Sequence, residues 1–197
     1  MGDARQETLT KYLGDMKSVV SHVRTAMERQ KDELKDQPDV AQAIARIALT
    51  LGRQEEDLAA RLATLGGSPT HPVKEAVSDA FGVIAGLYNK VRTEGGAKAL
   101  RDDHVALNLV YLSYSMLHTT AVALSDPGTA DLAGRALREI ARAVVEVDRL
   151  VPPVVLRELS DGDRGTLDTA APEATRALIA AAWPRTEATQ PQSGVIA

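Results

Sequence analysis

The stretch Leu100–Leu124, LRDDHVALNLVYLSYSMLHTTAVAL, decides the fold of this chain. Leu100, Asp103, Leu107, Val110, Tyr114, Leu117, Ala121 and Leu124 recur at alternating spacings of three and four, the period of one helix face. From Val105 to Ser125 no Lys, Arg, Asp or Glu occurs, which is long enough to test a bilayer reading of ~20 residues. Asn108, Ser113, Ser115, His118, Thr119 and Thr120 dilute the segment, and no second segment of this kind could partner it in lipid. A helix that is apolar nearly all round is then the central helix of a soluble core.

Working outward, four further segments carry the same spacing. The first is about Glu7 to Lys35, with Leu9, Leu13, Met16, Val20, Val23, Met27, Gln30 and Leu34 on the stripe. The second, Pro38 to Leu65, carries Val40, Ile44, Ile47, Leu51, Gln54, Leu58 and Leu65. A shorter one follows Pro72, with Val73, Val77, Ala80, Ile84, Leu87 and Val91. The last runs from Asp131 to about Leu159 through Ala133, Leu137, Ile140, Val144, Val147, Val151 and Val154. Punctuation agrees: Asp36-Gln-Pro38, Leu65-Gly66-Gly67-Ser68-Pro69, Thr93-Glu-Gly95-Gly96 and Ser125-Asp-Pro-Gly128 stop one helix and start the next. Pro152-Pro153 is expected to break the last long helix. Strand signals are almost absent. The expected fold class is all-α: an antiparallel four-helix bundle over residues 1–160, with an extra short helix between the second and third long helices. Residues 161–197 read as a C-terminal extension, a short helix at about 172–183 and then a disordered polar tail, Arg185–Ala197.

Composition removes many functions. The 197 residues include no cysteine, which excludes a disulfide scaffold, a thiol nucleophile and a thiolate metal site. A net charge of −4, with no basic run, argues against nucleic-acid binding. Aromatics at 3% leave little for a base-stacking surface. The polar start, Met1–Asp15, has no apolar signal-peptide core, so a cytoplasmic protein without a membrane span is expected.

Two long helices, a short crossing helix and two more long helices resemble the ferritin-like superfamily. The closer resemblance is to the bacterial DUF892-type ferritin-like proteins. The residues that carry it are Tyr12-Leu-Gly-Asp-Met16, Leu65-Gly-Gly67, Leu100-Arg-Asp-Asp103 and Tyr114-Ser-Met-Leu-His-Thr-Thr-Ala121. The resemblance implies a bundle able to house a di-iron centre built from a Glu on each of two helices and Glu-x-x-His on the other two.

That motif is missing. The histidines are His22, His71, His104 and His118, and three residues before them stand Val19, Ser68, Arg101 and Ser115. The stripe of the second helix carries Gln54, a neutral amide, with Glu55 and Glu56 turned to the rim. Asp103, Tyr114 and His118 are the nearest approach to a metal site, a carboxylate, a phenol and an imidazole that could hold a single ion loosely. The simpler reading is a buried polar network in which Gln54 and Tyr114 hydrogen-bond across the core. Asp102-Asp103 read as a cap for the helix they begin, while Glu55-Glu56-Asp57 and Arg135, Arg138 and Arg142 read as solvated faces. His22 and His118 lack the aromatic setting of a haem. No nucleophile elbow, P-loop or dinucleotide fingerprint occurs.

The expected protein is a non-enzymatic bundle acting as scaffold, small-ligand binder or assembly partner, without a resident cofactor. The alternative is a metal-dependent oxidoreductase or iron-storage protein with an atypical site, using iron. A homodimer is expected, helped by Phe81, Ile84, Leu87 and Tyr88, and Gln190–Ala197 is a candidate docking peptide for a protein partner.

Overall fold

The structure is a computed structural model and describes residues 2–34, 36–67, 95–161 and 165–182. Those residues form α1 (Gly2–Glu33), α2 (Pro38–Thr64), α3 (Gly96–Ala123), α4 (Pro127–Ser160) and α5 (Ala171–Ala182). The short helix expected over 73–91 lies outside the described residues, as do His71 and the tail 185–197. Among the described residues the additional short helix is the C-terminal one, α5, at almost its expected place.

Side-chain contacts at the helix ends fix the topology. Gln6 of α1 donates to the carbonyl of Leu65 at 2.6 Å, and Arg5 bonds the carbonyl of Leu124. The start of α1 therefore meets the ends of α2 and α3. At the other end Gln37 lies against Gly96, Arg157 bonds Gln37 and Asp39, and Glu158 accepts from the amide of Ala97 at 2.9 Å. So α1 runs antiparallel to α2, α3 antiparallel to α4, and α2 parallel to α3. Gly67 and Gly95 thus stand at opposite ends of the bundle.

The stripes become the core. Leu13, Val20, Val23 and Met27 of α1, Ile44, Leu51 and Leu58 of α2, Leu107, Val110 and Leu117 of α3, and Ile140 and Val147 of α4 are fully enclosed. Each such side chain contributes roughly 1.5–3 kcal/mol of transfer free energy. The enclosure of α3 is one-sided, however. Val105, Leu112, Met116 and Val122 stay 43 to 60% exposed. No described helix is long and apolar enough to cross a membrane.

Three helix starts differ from the sequence reading, α1 beginning at Gly2 rather than about Glu7. α4 starts at Pro127, not Asp131, because Asp126 is its N-cap and Pro127 needs no amide proton in the first turn. The Asp126 carboxylate accepts from the Thr129 hydroxyl at 2.6 Å and pairs with Arg61. Arg61 also donates Nε to Thr129 Oγ1 at 2.9 Å, so a fully buried threonine ties α2 to α4. The Arg61 hydrogen bond holds the Asp126 carboxyl below the usual carboxylate range, with Thr129 adding to it. α3 starts at Gly96, which places Asp102 and Asp103 in its second turn and removes them as caps; Glu158 does that work from α4.

Pro152 and Pro153 do not break α4, which continues to Ser160. A proline removes one amide donor and crowds the preceding turn, but here the following turn is held from outside. Pro152 and Val154 are buried, and Arg157 and Glu158 are bonded to the ends of α2 and α3. The carbonyl of Arg149, four residues before Pro153, receives Nη2 of Arg176 from α5 at 3.3 Å.

α2 and α3 end in the same backbone motif with different residues. Gly66 has φ 71° and its amide bonds Ala63, while Gly67 bonds Leu62. At α3 the equivalent residue is Ser125, φ 53°, with its amide on Val122 and that of Asp126 on Ala121. This is the Schellman geometry, which favours glycine at the left-handed position. Ser125→Gly should therefore stabilise the protein by about 0.5–1 kcal/mol, and Gly66→Ala should destabilise it by about 1 kcal/mol. Thermal melts followed by circular dichroism check both signs, with shifts of roughly 2–4 °C per kcal/mol expected at this size.

Candidate functional site

Four of the polar groups in this interior form two separate sets. The first lies towards the Gln37–Gly96 end, where Gln30 of α1 faces Asp103 of α3. Asp103 is fully enclosed and Gln30 is 3% exposed. With its amide nitrogen towards the carboxylate, Gln30 donates to Oδ1 at 2.8 Å and Oδ2 at 2.7 Å. A buried carboxylate is costly unless hydrogen-bonded, and the amide answers that cost directly.

The second set is near mid-bundle, between α2, α3 and α4. Gln54 and Tyr114 are buried there, with Glu139 half-buried beside them and Asp57 and Arg135 at the open side. They line a cavity of about 40 Å³, closed by Leu132 and Ala136. Gln54 Nε2 donates to Glu139 Oε2 at 2.9 Å. Gln54 Oε1 and the Tyr114 hydroxyl have no hydrogen-bond partner among the described residues. The expected bond between Gln54 and Tyr114 is therefore not made. A carboxylate attracts an amide N–H more strongly than a neutral phenol does, and it turns the Gln54 amide towards α4. Burial pushes the Tyr114 hydroxyl well above the usual phenol range, with the negative charges of Asp57 and Glu139 adding to the effect.

Asp103, Tyr114 and His118 are not brought together. Asp103 and Tyr114 share a stripe but lie about 16 Å apart along α3 at 1.5 Å per residue, and each belongs to a different polar set. His118 is exposed, with its ring against Gly134 of α4. His22 is on the α1 surface, its Nδ1 3.1 Å from the Ser18 carbonyl. His104 Nε2 lies 3.0 Å from Oδ1 of Asp148 on α4. Glu55, expected at the rim, bonds Arg24 of α1 at 3.0 Å.

Sequence reading missed Glu139, Asp57 and Arg135 as cavity residues. The signal was present as spacing: Gln54 and Asp57 are three apart, Arg135 and Glu139 four apart, so each pair shares one helix face. Reading the arginines and acids of these helices as solvated faces hid it.

The donor set does not fit a di-iron centre. Its two best-buried groups are a neutral amide and a phenol kept protonated by burial, and its nearest carboxylate already accepts from the amide. Arg135 brings a positive charge to the same cavity. Among the described residues no three His, Asp or Glu side chains converge as a metal shell. What the cavity suits is one water-sized guest held by two to four polar atoms.

No family model and no curated protein sequence matches the chain. Solved structures do. A bacterioferritin from Desulfovibrio desulfuricans, described with its diiron site in different catalytic states, superposes with a TM-score of 0.67. It is 18% identical, over 86% of this chain and 97% of its own. An archaeal Dps homologue from Halobacterium salinarum gives 0.63 at 17% identity, over 85% and 87% of the two chains. The fold is ferritin-like.

The hydroxyl of Tyr114 yields a prediction with a definite sign. A group whose pKa is raised by folding stabilises the native state below its unfolded value, near 10, and that stability is lost as pH rises further. Tyr114→Phe removes an unpaired hydroxyl, so the variant should melt close to the parent at pH 7 and above it at pH 11. In the parent, ultraviolet titration should show one of the four tyrosines ionising only as the protein unfolds.

Proposed function

We propose that this chain is a non-enzymatic ferritin-like bundle without a di-iron centre, serving as a scaffold, small-ligand binder or assembly partner. One observation carries the reading. The mid-bundle cavity is lined by Gln54, Tyr114, Asp57, Arg135 and Glu139, a set with too few free anionic donors for two metal ions. Two adjacent cations in a low-dielectric interior require several carboxylates to offset their charge. Here a single half-buried carboxylate is hydrogen-bonded to an amide, and a guanidinium stands nearby.

The same reading treats residues 1–160 as the functional bundle and the remainder as an extension, in a cytoplasmic protein of the DUF892-type group. Self-association as a homodimer is supported by Val105, Leu112 and Met116, which leave an apolar row on the outer face of α3. A protein partner for the tail rests on its sequence alone.

Purified protein should contain no stoichiometric iron by elemental analysis, and added Fe(II) should not be oxidised faster than in buffer. Two irons per chain, with rapid turnover lost in Glu139→Ala or Asp103→Ala, would replace this reading with the metal-dependent oxidoreductase or iron-storage one.

A further inference from the structure

α5 closes a pocket that lies apart from the mid-bundle cavity. The Arg176 contact to the carbonyl freed by Pro153 seats α5 on α4. Between α5, α4 and α3 this leaves an open-sided cavity of about 630 Å³, within the size range of small-molecule sites. Its walls are apolar: Val144 and Val145 on α4, Ile179 and Ala180 on α5. Val145 is 45% exposed there.

The charges at this pocket are unequal. Asp148 is its lining carboxylate, and His104 engages it at 3.0 Å. The other ring nitrogen of His104 faces the Asn108 amide at 3.2 Å. On the positive side stand two guanidinium groups. Arg149 makes no ion pair with any described residue, and its side chain is exposed. Arg176 has two contacts, both at 3.3 Å, one of them to Glu173, whose side chain is 80% exposed. Two arginines thus border an apolar cavity whose acid is already hydrogen-bonded.

We propose that this pocket binds a small monoanionic amphiphile, its carboxylate on Arg149 and Arg176 and its alkyl chain between Val144, Val145, Ile179 and Ala180. The proposal rests on the reading of the bundle as a ligand binder and names its ligand class. A guanidinium presents paired N–H donors that match a carboxylate in fork geometry. Removal of the chain and of the pocket's apolar walls from water supplies the drive, and the head supplies the selectivity. The anion could come as a free carboxylate or as a lipid headgroup in a bilayer. The pocket's walls suit the free molecule, because a bilayer would present its chains to a surface rather than to a cleft.

The test is calorimetric titration of the full chain with decanoate, decanol, decylammonium and phosphatidylglycerol vesicles. Decanoate should bind at one site per chain, at least about ten-fold tighter than decanol, and decylammonium should not bind. Arg149→Glu should weaken decanoate at least about ten-fold with an unchanged circular dichroism spectrum and melt, since it keeps the carbonyl that Arg176 caps. Ala180→Trp should block the chain and abolish binding. Equal affinity for decanol, unchanged affinity in Arg149→Glu, no decanoate binding, or binding to vesicles alone would overturn the proposal. Rapid iron oxidation beside intact decanoate binding would instead remove the non-enzymatic reading and leave the pocket standing.

Discussion

A helix with no charged side chain from Val105 to Ala123 cannot stand in water on its own, and the rest of the molecule is arranged around that constraint. The inner row of α3, from Leu100 through Leu107, Val110 and Leu117 to Ala121, is enclosed by α1, α2 and α4. Because α2 and α3 run parallel, the end of α2 and the start of α3 lie at opposite ends of the bundle. The ends are then pinned by polar contacts: Gln6, Arg5 and the Arg61–Asp126–Thr129 cluster at one end, Gln37, Arg157 and Glu158 at the other. Apolar burial supplies the drive and these contacts set the register, since burial alone does not distinguish neighbouring alignments.

The polar groups admitted to the interior follow electrostatic rules rather than the geometry of a metal centre. Asp103 survives at full burial through the two N–H donors of one amide. Gln54 spends its amide on Glu139, and Tyr114 keeps its proton in a cavity with room for about one water. Interiors of this kind tolerate a few polar atoms at modest cost, whereas a pair of iron ions would demand more anions than Asp57 and Glu139 supply.

Much of the fold was legible because helical stripes are a periodic signal. Every stripe residue named on α1 is buried, and on α3 all but Leu124 are. Starts and stops were less legible where tertiary contacts override local preference. Pro152-Pro153 reads as a break, yet contacts from α2, α3 and α5 hold the turns around it. The absence of Glu-x-x-His was plain in the sequence. The partners that do line the cavity were not, because Arg135 and Glu139 come from α4 and meet Gln54 and Asp57 only across the bundle. A single sequence reports which residues share a face of one helix. It does not report the rotation of one helix against another, which decides whether an acid faces solvent or a cavity.

The proposed function requires the interior between α2, α3 and α4 to hold hydrogen-bonded polar groups and not a metal centre. Crystals of the full chain soaked in Mn(II) or grown with Fe(II), and measured at the metal absorption edge, test it directly. No anomalous peak is expected within bonding distance of Gln54, Tyr114 or Glu139. A pair of peaks there, separated by ~3.5–4 Å as in two-metal sites, would contradict it.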